Sequence, residues 1–139
     1  MHMTEALDVA LEPIRCVVMQ RLEMIRLAAL SLTPLVRVEE HLYAWGVSWS
    51  VSALANSASD EVVASVVVCT PSSDVHLEAD VAYANTILAD LTRLRFSTND
   101  PQGIARTAEV VGEFLQRSVP CFMQGCQRMM DDETSGERR

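Results

Sequence analysis

The stretch LYAWGVSWSVSALA, residues 42–55, sets Tyr43, Trp45, Val47, Trp49 and Val51 on alternate positions, with Ala44, Gly46, Ser48, Ser50 and Ser52 between them. Strand side chains point alternately to the two faces of a sheet, so this period of two predicts a strand with one large apolar face and one flat, weakly polar face. The β-branched residues just before it extend the strand pattern over 36–55. The large face is expected to lie under helices. The small face admits three uses: it faces water, another backbone approaches it closely, or a second copy of the sheet covers it.

Working outward, LANSASD (54–60) reads as a loop of small and polar residues. EVVASVVVC (61–69) is a near-continuous β-branched run and reads as a central strand covered on both faces. TPSSD (70–74) is a turn. In VHLEADVAYA (75–84), Val75, Leu77, Ala79, Val81 and Tyr83 face one way while His76, Glu78 and Asp80 face the other. Residues 87–96 read two ways. A turn at Asn85-Thr86 followed by a strand is one reading. A short helical face of Ile87, Leu88, Leu91 and Leu94 is the other; the alternation in RLRFS favours the strand.

Helices flank this meander. Ile14, Val17, Val18, Leu22, Ile25, Ala28, Ala29 and Leu32 recur at helical spacing, and Thr33-Pro34 ends the run. Pro13 is expected either to follow a short turn capped by Thr4 or to begin the helix itself. Asn99-Asp100-Pro101 is a helix start, and the stripe Ile104, Ala108, Val111, Leu115, Val119, Phe122 continues it until Pro120 kinks or divides it. The fold class is therefore α+β: an N-terminal helix, a three- to four-stranded antiparallel meander and a C-terminal helix kinked near Pro120, with the helices packed on one sheet face. Residues 1–130 read as one domain and residues 131–139 as a polar, flexible tail.

The 139 residues are 49% hydrophobic but only 5% aromatic, so the core must be aliphatic. A chain of this length buries roughly two-thirds of its unfolded surface and needs no covalent staple. Net charge is −8, and all eleven basic residues are arginines scattered along the chain. An acidic chain without a basic stripe repels phosphate backbones, which disfavours nucleic acid and suits a basic protein partner. There is no leader pattern and no 18-residue apolar run, so the expectation is a cytoplasmic protein with no membrane partner. Cys16, Cys69, Cys121 and Cys126 form no C-x-x-C pair and read as buried or half-buried thiols of a reducing compartment.

Motifs that carry chemistry are sparse. His76, Glu78 and Asp80 project from one strand face about 6.8 Å apart and are the best acid–base or metal candidates, although a wet strand face looks the same. Glu39 and His41 also share a face. No G-x-S-x-G, H-E-x-x-H or phosphate-cradling loop occurs, so no catalytic residue, metal ligand or cofactor is assigned. Glu109 and Glu113 mark a solvated helix face.

The leading expectation is a small, acidic, non-catalytic protein-interaction module. The apolar residues on both faces of the 62–68 run imply a covered sheet back, and so self-association as a homodimer that binds a further protein. Immunity proteins and secretion chaperones are similar in size and charge alone. Met123, Met129 and Met130 offer an adaptable contact surface. The alternative is a small-molecule domain whose pocket between helices and sheet is lined by Trp45, Trp49 and Tyr83. An enzyme or metal site on the His76/Glu78/Asp80 face comes third.

Overall fold

The computed structural model describes residues 5–70 and 74–137. The order is α1 (Glu5–Ala29), β1 (Leu35–Tyr43), β2 (Gly46–Leu54), β3 (Glu61–Cys69), β4 (Asp74–Tyr83), β5 (Thr86–Ser97), α2 (Pro101–Arg117) and α3 (Val119–Glu137). The five strands form one antiparallel meander in sequence order, and the helices cover one of its faces. The architecture is α+β, as the hydrophobic pattern requires. No helix among the described residues is long and apolar enough to cross a membrane.

The sheet has five strands because the 36–55 pattern is a hairpin. β1 and β2 meet at a two-residue turn, Ala44-Trp45, with Tyr43 opposite Gly46. Across such a turn, residues three apart share a face, so parity reverses: odd-numbered residues face outward in β1 and inward in β2. Tyr43 and Trp45 therefore leave the face they were expected to share with Val47, Trp49 and Val51. Gly46 has φ +154°, and a Cβ there would stand 1.9 Å from the Val68 carbonyl oxygen. That space belongs to backbone, so only glycine fits. The amide and hydroxyl of Thr70 both donate to the Trp45 carbonyl, at 2.7 and 3.1 Å, and pin the turn.

The covered face reads in rows across the sheet: Val38–Val51–Ala64–Val81–Ala89, then Glu40–Trp49–Val66–Ala79–Leu91, then Leu42–Val47–Val68–Leu77–Leu94. Trp49 is the one ring among aliphatic neighbours, and small Ala64 and Ala79 leave room around it. Leu11, Ile14, Val18, Leu22 and Ile25 of α1 close over this layer with Leu115 of α2 and Phe122 and Met129 of α3. Gly112 lets α2 approach α1: a Cβ there would meet Val17 Cγ1 at 2.6 Å.

Local signals explain most boundaries. Asp100 is the N-cap of α2 and Pro101 stands at its first turn. Ser118 separates α2 from α3, and Pro120 falls in the first turn of α3, where its missing N–H costs nothing. β5 is a strand throughout, with two register shifts against β4. Two readings of the helix ends also change. α1 runs through Pro13, which removes the helical donor to the Val9 carbonyl, and Val9 is exposed. Residues 131–137 continue α3 rather than forming a loose tail. Asp132 accepts from Tyr83 and Glu133 from Asn56. The Thr4 cap and the Pro71–Ser73 turn lie outside the described residues.

Candidate functional site

The residues suggested for a pocket between the layers do not converge. Trp49 is fully buried, and its indole N–H donates to Glu40 Oε2 at 2.5 Å. Tyr83 is buried at the other end of the core, and its hydroxyl donates to Asp132 Oδ2 at 2.7 Å. Burial and this carboxylate push the Tyr83 phenol up to about 12. Trp45 lies outside the core at the β1–β2 turn, stacked on Tyr43 with ring centroids 4.5 Å apart and planes 5° from parallel. A cleft of about 170 Å³ between α1 and the hairpin has Trp49 and Glu40 in its lining, but neither Trp45 nor Tyr83. Of the methionines of α3, Met129 is buried in the core, and Met123 and Met130 are half-buried against it.

The polar candidates sit where the alternation put them, on the uncovered sheet face. Glu78 is paired with Arg93 at 2.7 Å, Asp80 accepts from the Ser65 hydroxyl at 3.2 Å, and His76 stands between Cys69 and Arg95 in register. Each carboxylate is thus held by a strand neighbour. Among the described residues no three His, Cys, Asp or Glu side chains are placed to share a metal ion. Glu39 and His41 share the same face, with His41 Nε2 2.7 Å from Glu39 Oε2. Cys16 is exposed, contrary to expectation, because it falls on the solvent side of α1. Cys126 is the buried thiol, and burial pushes it up to about 11, away from nucleophilic thiolate.

Exposed apolar groups stand at both ends of β1: Leu35 at its start, and Leu42, Tyr43 and Trp45 at its end and turn, each at least 40% exposed. β1 is an edge strand, paired with β2 without interruption from Leu35↔Leu54 to Tyr43↔Gly46. The opposite edge, β5, carries two register shifts, which twist and blunt an edge. At the start of β1 an open cleft of about 330 Å³ is lined by Pro34, Leu35, Val36, Arg37, Ser52, Leu54 and Ser57. Glu40 on the helix side is already satisfied: Arg15 of α1 donates to it at 2.7 Å, and this bond, aided by the Trp49 N–H, holds its carboxyl below the usual range. Sequence reasoning missed the β1 edge because it merged β1 with β2 and so placed Tyr43 and Trp45 in the core. The Trp45-Gly46 pair was the available signal.

The fold and this edge define an α+β meander with three helices on one face and an edge strand, β1, that pairs in unbroken register and carries apolar side chains at both ends of a charged middle. No protein-family model, curated protein or solved structure matches the chain significantly.

Proposed function

We propose that this chain is a non-catalytic protein-interaction module that self-associates and binds a protein partner of basic character. The observation that carries the reading is the exposure of Leu35 at one end of β1 and of Leu42, Tyr43 and Trp45 at the other, on a strand whose outer edge is free of the sheet's own pairing. Such an edge is a template for another chain unless it is blunted. The net charge of −8 supports steering of a basic partner and predicts salt-sensitive association. The small-molecule reading has less support, because Trp45, Trp49 and Tyr83 line no common space. The enzymatic reading on His76, Glu78 and Asp80 has less again, because their strand neighbours hold the carboxylates.

The test is affinity purification of the tagged chain from its own cells at low and high salt, beside a Leu42→Ser/Trp45→Ser double variant. A stoichiometric protein that binds the parent chain, weakens with salt and is lost with the variant supports the reading. A protein that binds both equally moves the contact off β1. Recovery of the chain with no protein at either salt removes the partner from the proposal.

A further inference from the structure

Resting on the self-association proposed above, we infer that the second copy pairs through β1, antiparallel to β1 about a twofold axis at Val38, so that two five-stranded sheets become one of ten strands. A twofold axis that makes neighbouring strands antiparallel must stand perpendicular to the sheet, so the outer face of one copy continues the outer face of the other. Odd-numbered residues of β1 must then meet odd-numbered residues, and one residue must face itself.

Charge and length of overlap select that residue, since an axis at Val36, His41 or Leu42 pairs less of β1 than one at Val38. Centred on Arg37 or on Glu39, like charges meet at the axis, which is destabilising. Centred on Glu40, a carboxylate again meets its own copy. Centred on Val38, Val38 faces Val38, and Arg37 of each copy stands opposite Glu39 of the other, giving two opposite-charge pairs on the exposed face. Arg37 can make them: its side chain is 70% exposed, and its contact with Glu39 Oε1 in the same chain is a loose 3.6 Å, while His41 takes the other oxygen, Oε2, at 2.7 Å. On the helix side Val36 falls opposite Glu40, which Arg15 and Trp49 already hold.

A second feature agrees with this register. It pairs Leu35 with His41 and carries Tyr43 of the second copy past the start of β1, on the outer face. The apolar cleft formed there by Pro34, Leu35, Leu54 and their neighbours lies beside that position. The exposed Tyr43–Trp45 stack and this cleft, at opposite ends of β1 in one chain, become neighbours across the axis.

The experiment is light scattering coupled to size-exclusion chromatography across a dilution series, with the parent chain, Arg37→Glu, Glu39→Arg and the double swap. The parent should elute at twice its 15.4 kDa. Each single swap sets two like-charge pairs across the axis and should raise the dimer dissociation constant by about tenfold. The double swap restores opposite charges with their order exchanged and should recover the parent value. A dimer indifferent to both single swaps, or singles that weaken it without recovery in the double, overturns the β1 pairing and leaves self-association standing. A parent chain of 15.4 kDa at the highest concentration overturns self-association as well. Arg37 is exposed and Glu39 half-buried, and an unchanged melting temperature would separate lost pairing from lost folding.

Discussion

The indole N–H of Trp49 donates to the carboxylate of Glu40 at 2.5 Å, from the neighbouring strand and on the covered face of the sheet. The same carboxylate takes the guanidinium of Arg15 at 2.7 Å, so one acidic residue ties α1, β1 and β2 together. A buried ring nitrogen needs a partner, and the edge position of β1 lets that partner stay partly solvated.

Glu40→Gln should therefore cost about 1 kcal/mol at neutral pH, a value held down by the half-exposed Arg15. The Glu40 carboxyl lies below its ordinary range because Arg15 and Trp49 favour the charged form. Its contribution is thus full above the ordinary carboxylate range and is lost as pH falls through the lowered folded value. Urea unfolding at pH 7 and in steps down to acid checks this: the gap between parent and variant should close on acidification.

The two tryptophans should behave oppositely. Trp49→Ala opens a hole in the centre of the core and should cost about 3–5 kcal/mol. Trp45→Ala, at an exposed turn, should cost about 0.5 kcal/mol or less. Denaturant midpoints give both values. In the Trp45→Phe variant, the remaining Trp49 fluorescence should resist quenching by iodide.

Tyr83 should ionise late. Its phenol is held at about 12 by burial and by the Asp132 carboxylate. An ultraviolet titration of the folded chain should show a component in that range, and Tyr83→Phe should remove it. Losing this bond to a charged acceptor should also cost about 1.5–3 kcal/mol and loosen the end of α3, readable as faster amide exchange after Asp132.

Gly46→Ala should be among the most damaging single changes. The new methyl would meet the Val68 carbonyl at 1.9 Å, at a φ that other residues rarely adopt. A loss of about 3 kcal/mol or more is expected, seen as a drop of several degrees or more in melting temperature. Trp45→Ala, one residue away, serves as the control.

Much of the architecture was legible because local chemistry and burial agreed. The α1 stripe, the strands over 61–69 and 75–84, and the Asp100-Pro101 helix start all stand where periodicity and capping put them, although the 61–69 strand is covered on one face and not, as expected, on both. Val47, Trp49 and Val51 lie under the helices as expected. The hairpin within 36–55 was hidden because large and small residues alternate straight through its turn, with no Asn-Gly or Asp-Gly to mark it. The continuation of α3 past Met130 was hidden because DDE looks solvated until Tyr83 and Asn56 arrive to bond it.

The sequence by itself determined the class of fold, the aliphatic core and the acidic surface, since these follow from periodicity and composition along the chain. Only the tertiary structure decided which side of β1 meets the helices, that Trp45 is outside and Trp49 inside, and that β1 is an uncovered edge. The physical reason is that a two-residue turn reverses the parity of every residue beyond it, and only the pairing of the strands reveals where that turn falls.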